Sequence, residues 1–414
     1  MKKLLFGANQ ILTCESKSKN YKIGKELSDI GLLHSHSIVI EDGLIKDIIP
    51  NNSLNNRSDF EIIDVSGKTV LPGLVECHTH LAFAGNRSDE FKMKLDGISY
   101  EEIAKRGGGI LKTVNSVRNC SVTDLFFLMK SRVDEFISQG VTTLEIKSGY
   151  GLNFENEIKQ LHAIKLIDES FAIDIIPTFL GAHTYPTEFK ADHDSYIKII
   201  NDVMIPYISK NKLAEFCDAF CETTAFSAEE VDKIFDVASK NDLKIRLHTE
   251  QFNSIGGLDI AIKHNATSVD HLEVIDNSGI SKLAEKEIVC VLFPGVSFFL
   301  NHKFAPAREL IDSNCIVALS TDYNPGSSNI LNLHLIMQIA ALRMKMSIEE
   351  IINSVTLNSA KSLNKSDEIG SIEIGKQADF AVFDTDNYAD IIYNVGRNLN
   401  CMTIKNGEII FKKS

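Results

Sequence analysis

The chain has 414 residues, 44% of them hydrophobic, and a formal net charge of −13. That size and balance suit a barrel-sized globular domain with something smaller attached, and the acidic surplus argues against a nucleic-acid surface or an anionic membrane as partner. Eight scattered cysteines, of which only Cys217 and Cys221 lie close in sequence, fit free thiols in a reducing compartment better than a disulfide framework; with no second pair to complete a metal half-site, those two read as buried structural residues.

The opening "MKKLLFGANQILTCES" has two lysines but too few apolar residues before Gly, Asn and Gln interrupt, so it reads as a first strand of a cytoplasmic protein and not as a signal peptide. No apolar run is long enough for a membrane helix. Residues 1–63 and 375–414 carry short strand patterns such as "SIVIEDGLIKDII", "ADFAVFD" and "CMTIKNGEIIF", with Asp-Gly and Asn-Gly hairpin turns. The two ends are expected to pair into one small domain, a β-sandwich. His34 and His36 fall in this region among polar, turn-like residues, and their H-x-H spacing is discounted as a metal grip for that reason.

Between residues 64 and 374 short β-rich runs alternate with longer amphipathic stretches, the pattern of βαβ units. Strands are expected near Thr69–Cys77, Thr142–Lys147, Ile173–Leu180, Phe216–Cys221, Leu243–Leu247, Ser268–His271, Ile288–Phe293 and Ile316–Ser320. Eight such strands with helices between them predict an α/β fold, a closed (β/α)8 TIM-type barrel, in preference to an open doubly wound sheet. No strand is followed by a G-x-G-x-x-G turn, which excludes a dinucleotide-binding oxidoreductase.

A barrel of this type builds its active site where the strands stop. The first strand, in the stretch "LPGLVECHTHLAFAG", ends in His78 and His80; alternate residues of a strand share a face, so both imidazoles can hold one metal ion. The third strand ends at His183, the fifth at His248, the sixth at His271 and the eighth at Asp322. Two histidines of one strand, His248 and Asp322 make a nitrogen-rich set without thiolate, suited to Zn2+ or Fe2+. Such an ion activates a water for hydrolysis, with Asp322 able to accept its proton and pass it to a departing nitrogen, and His271 free to polarise the attacked group. The run Gly107-Gly108-Gly109 after Arg106 lacks the Lys-Ser/Thr of a phosphate loop and is expected to form a flexible or tightly turning loop over the mouth.

These positions resemble the amidohydrolase superfamily, marked by H-x-H on strand one, histidines on strands five and six and aspartate on strand eight. The longer motifs "HTHLAFAGNRSDEF", "GGGILKTV", "TTLEIKSGYGL", "PTFLGAHTYP", "HTEQF", "VDHLE", "PGVSFFL" and "LSTDYNPGSS", from about Pro72 to Ser328, are similar to its imidazolonepropionase family. The resemblance implies hydrolytic opening of 4-imidazolone-5-propanoate to N-formimidoyl-L-glutamate in histidine degradation. It implies metal binding by His78, His80, His248 and Asp322, and substrate contacts from Arg87, Tyr150, His183, Gln251, Asn324, Gly326 and Ser327. It also implies a homodimer. The chemistry agrees at Arg87, a cation able to grip a propanoate bidentately, and at Tyr150, whose hydroxyl can donate at the mouth.

Two departures shape the expected mechanism. The fourth strand ends "FCDAFCETT", without the lysine that bridges two metals in binuclear relatives, so one divalent metal is expected. The third residue after His248 is Gln251, where deaminating relatives and some imidazolonepropionases carry glutamate, with Glu250 one position off. An amide cannot shuttle protons, which assigns proton transfer to Asp322 with His271. A deaminase or deiminase is the nearest competing enzyme, and a non-catalytic scaffold would be marked by a missing ligand; none of the four is missing.

Overall fold

Runs such as "IVAL" and "VCVL" are buried at every position, as strands covered on both faces require. In this computed structural model, which describes residues 2–17, 19–54, 57–98, 102 and 108–413, eight wholly or mostly buried runs form one parallel sheet in chain order. They are β1 Leu74–Glu76, β2 Val141–Lys147, β3 Asp174–Ala182, β4 Phe216–Ala219, β5 Lys244–Thr249, β6 Ser268–His271, β7 Val289–Leu292 and β8 Ile316–Leu319. The ends of the sheet meet: Thr79 bridges Tyr323 in parallel, His80 N–H donates to the Tyr323 carbonyl at 3.0 Å, and the Ser320 hydroxyl donates to the His78 carbonyl at 3.0 Å. This closes a (β/α)8 TIM-type barrel. Helices begin where capping boxes place them, as at Ser121 with Asp124 and Ser227 with Glu230.

The single strand expected over Thr69–Cys77 is divided. Thr69–Pro72 pairs with Gln10–Leu12 and Phe380–Phe383 outside the barrel, and only Leu74–Glu76 enters it. Gly73 makes the crossing. Its N–H donates to the Asp379 carbonyl at 2.9 Å, and a Cβ there would sit 2.1 Å from the Thr142 hydroxyl, so no larger residue fits.

The chain's two ends share a six-stranded sheet, in the order Glu408–Lys412, Asn400–Lys405, Phe380–Phe383, Thr69–Pro72, Gln10–Leu12, Leu32–His34. It packs with a four-stranded sheet in the order Leu44–Pro50, His36–Glu41, Lys3–Phe6, Glu61–Asp64. Leu5, Ile38 and Ile40 of the smaller sheet join Val70, Phe380, Val382 and Ile404 of the larger in one apolar core, giving the β-sandwich. The Nδ1 atoms of His34 and His36 meet backbone carbonyls of Asn9 and His34, at 3.2 and 2.8 Å. No helix among the described residues is long and apolar enough to cross a membrane. Of the glycine-run segment, Arg106 and Gly107 lie outside the described residues; Gly109, at φ +84, caps the helix Ile110–Arg118.

Candidate active site

His78 and His80 follow β1, His248 lies near the end of β5, and Asp322 follows β8; one ligand atom from each lies within 4.8 Å of the other three, and all four residues are buried. His78 Nδ1 stands 2.8 Å from Asp270 Oδ2, and His248 Nδ1 3.1 Å from Asp218 Oδ1. A carboxylate only accepts, so each ring carries its proton on Nδ1 and turns a bare Nε2 inward. Nε2 of His248 faces Nε2 of His80 at 3.3 Å, while Asp322 Oδ1 lies 3.2 Å from His80 Nε2 and 3.5 Å from His78 Nε2. Among the described residues, His78 Nε2 and Asp322 Oδ1 have no hydrogen-bond partner. Inward lone pairs without donors in a buried space fit a divalent cation.

Burial, with Lys147 nearby, holds His78 well below the usual imidazole range and His80 at about 3; burial also depresses His248, to about 4, against the pull of Asp218. All three imidazoles are neutral at pH 7. Burial pushes Asp322 up to about 6, against the opposing pull of His271 and His248. His271 goes the other way: burial would lower it, but Glu273, with Oε1 3.5 Å from Nδ1, raises it. The backbone here is strained, with positive φ at Glu250, His271, Leu272 and Asp322, a cost that ordinarily persists at functional sites.

Above the four ligands opens a cavity of about 810 Å³. The positions singled out in the sequence, apart from His78, line it. His183 stacks on His80 with ring centroids 5.0 Å apart, and its Nδ1 meets the Gly149 carbonyl at 2.9 Å. Tyr150 packs beside it at 5.3 Å, its hydroxyl pushed well above the usual phenol range by burial and by Asp322. Arg87 gives its Nε–H to Glu90 at 2.8 Å, and Glu90 also accepts the Gly109 N–H at 3.0 Å. The guanidinium lies so close over Gly326 that a Cβ there would fall 2.2 Å from Nη1. Asn324 ties its own loop: its amide donates to the Asp322 carbonyl at 2.8 Å, and its oxygen accepts from Gly326 and Ser327 at 2.8 and 2.7 Å. Gln251 lines the cavity, whereas Glu250 accepts from the Ser254 hydroxyl at 2.8 Å.

Sequence reasoning missed Asp218, Asp270 and Glu90, and the cations Lys147 and Arg246 behind the ligands. The available signal was a charged residue inside an apolar strand, as in "LEIK", "FCDA", "KIRLHT" and "SVDH", where charge is retained only if paired.

Residues 69–410 match the family described as the amidohydrolase family. An imidazolonepropionase of Geobacillus sp. (strain WCH70) is 40% identical over 98% of this chain and 97% of its own length. One from Clostridium tetani is 40% identical over 99% of this chain and 98% of its own. Among solved structures, E. coli guanine deaminase superposes with a TM-score of 0.77 at 15% identity over the whole of both chains. A Xanthomonas campestris adenosine deaminase with bound zinc gives 0.72 at 17% identity, over 99% of this chain and 93% of that one. At such identities the structural likenesses speak for the fold.

Proposed function

The chain belongs to the amidohydrolase family and is a hydrolase of carbon–nitrogen bonds with the imidazolonepropionase activity, and from that premise we propose how its residues perform the reaction. The substrate is 4-imidazolone-5-propanoate, opened by water to N-formimidoyl-L-glutamate. The observation that carries the mechanism is the convergence of bare imidazole nitrogens and the Asp322 carboxylate at the floor of a cavity whose wall holds Arg87.

His78, His80, His248 and Asp322 would hold one divalent metal, Zn2+ or Fe2+. When bound, such an ion lowers the pKa of a water so that it can attack near neutral pH. Arg87 grips the propanoate with the guanidinium edge that Glu90 leaves free, and Tyr150 donates its hydroxyl beside it. His183, held in one tautomer by the Gly149 carbonyl, and the Gln251 amide orient the ring. The loop of Asn324, Gly326 and Ser327 closes the side facing Arg87.

Asp322 accepts a proton from the attacking water and returns it to the nitrogen that leaves the ring. His271, tilted toward the charged form by Glu273, donates to the carbonyl oxygen that gains charge. Gln251 has no proton to give. The family resemblance adds a homodimer, the sequence composition a cytoplasmic setting, and the barrel is taken as residues 64–374 between segments 1–63 and 375–414 of the small domain. Turnover of freshly generated 4-imidazolone-5-propanoate in 18O-labelled water tests the reading: the N-formimidoyl-L-glutamate formed is expected to carry one heavy oxygen, and unchanged substrate contradicts it.

A further inference from the structure

Beneath the four ligands lies a layer of charged groups that the reaction does not touch. Glu145, Lys147, Asp218, Arg246 and Asp270 are all fully buried inside the barrel. Lys147 Nζ pairs with Asp218 Oδ2 at 2.9 Å and with Glu145 Oε1 at 2.7 Å. Arg246 Nη2 pairs with Asp270 Oδ2 at 3.3 Å, and Nη1 donates to the Ser362 carbonyl at 3.3 Å. Asp218 therefore meets Lys147 with one oxygen and the Nδ1 of His248 with the other, while Oδ2 of Asp270 meets both Arg246 and the Nδ1 of His78, forming the chains Lys147–Asp218–His248 and Arg246–Asp270–His78.

We propose that Lys147 and Arg246 are positioning residues for the metal: by holding Asp218 and Asp270 in place, they keep Nε2 of His248 and His78 aimed at the ion. This rests on the metal reading above. The argument is one of charge and geometry. Taking an ammonium or guanidinium out of water costs several kcal/mol, and the cost is offset only by close pairing; two such groups in one layer, each on a carboxylate that orients a histidine, have no role in packing that an apolar side chain could not fill. In the Lys147 arm the division is explicit, since one oxygen of Asp218 takes the lysine and the other takes His248. Without the cation that carboxylate is free to turn, and the ring it orients turns with it.

The layer also bears on how many ions bind. Asp218, His248 and Asp270 present atoms within 4.8 Å of one another, as a second metal site would. Here the charge of that trio is met by Lys147 and Arg246, and His248 already gives Asp218 its Nδ1 proton. The cations stand where a second metal's charge would be needed, so the layer serves a single ion.

The test is zinc affinity of the metal-free protein by competition with a fluorescent chelator, with near-ultraviolet circular dichroism as the check on folding. Lys147→Met and Arg246→Met are each expected to weaken zinc on the order of 10- to 100-fold, the effect usual for groups that orient ligands. Because Lys147 acts through Asp218, the double variant with Asp218→Asn is expected to bind no worse than Asp218→Asn alone. Folded variants with wild-type affinity, or losses that multiply in the double variant, overturn the proposal. Should the methionine variants fail to fold, 15N spectra of histidine-labelled wild type decide: His78 and His248 must appear as Nδ1–H tautomers, and an Nε2–H tautomer at either overturns it. Wild type that takes up no zinc or ferrous ion would bring down the metal reading itself, and this inference with it; wild type that binds normally beside unaffected variants brings down the inference alone.

Discussion

Oδ1 of Asp322 stands 3.2 Å from Nε2 of His80 and accepts no hydrogen bond from the described residues. Burial has raised that carboxyl to about 6, while it holds His80 at about 3, His248 at about 4 and His78 well below the usual imidazole range. In the metal-free protein a proton and a metal therefore compete at Asp322 before they compete at any imidazole. Metal affinity is expected to be flat above about pH 6.5 and to fall by about tenfold per pH unit below pH 6, as one proton must be displaced. Chelator competition from pH 5 to 8 checks this; a transition requiring two or more protons contradicts it.

In the proposed function Arg87 has a part in binding and none in the reaction. Its Nε–H is occupied by Glu90, which leaves the remaining edge for the carboxylate of the substrate. Arg87→Lys keeps the charge and loses the paired contact, so KM is expected to rise about 10- to 100-fold with kcat little changed. Steady-state kinetics separate the two, and a loss confined to kcat would remove Arg87 from the binding role.

The loop that presents Tyr150 hangs on one buried carboxylate. Glu157 accepts N–H groups from Gly149, Gly151 and Leu152 at 3.1, 2.8 and 2.8 Å. Gly151 packs directly on this helix start, where a Cβ would fall 2.4 Å from Glu157 N. Glu157→Ala leaves those donors unmatched and is expected to lower stability by roughly 1–3 kcal/mol and to weaken substrate binding. Urea unfolding and KM measure the two effects; wild-type values for both would show that the loop holds itself.

His334 offers a pH effect away from the metal. It is buried, with Nε2 2.9 Å from the Gln139 carbonyl, and burial lowers it from 6.5 to about 4. The unfolded chain binds a proton below 6.5 that the folded chain refuses until about 4, so this contribution is full above pH 6.5 and is lost as pH falls toward 4. Compared with His334→Gln, the metal-free wild type is expected to lose roughly 3 kcal/mol more stability between pH 7 and 4. Parallel stability curves for the two proteins would contradict it.

The positions of the barrel strands could be read from the sequence because each is a short β-rich run set between longer amphipathic stretches, and the residues where those runs stop exposed His78, His80, His183, His248, His271 and Asp322. The carboxylates behind the ligands could not be placed that way. Asp270 meets His78 across 192 residues of chain and Asp218 meets His248 across 30, so their pairing exists only once the barrel has closed. The division of the first strand was nearer to hand: Pro72-Gly73 interrupts it, and proline with glycine inside a strand marks a bend. Glu90 lies three residues after Arg87, and its role emerges only with the Gly109 N–H it also accepts.

The central claim is that Asp322 works in concert with a bound metal to open an imidazolone ring. It is tested most directly by following the ultraviolet absorbance of freshly generated 4-imidazolone-5-propanoate with metal-loaded wild type beside Asp322→Asn. The account predicts rapid loss with wild type and a fall in kcat of at least about 100- to 10,000-fold in the variant, the range for a proton-transferring group. A variant that still turns over within tenfold of wild type, with its metal in place, would contradict it.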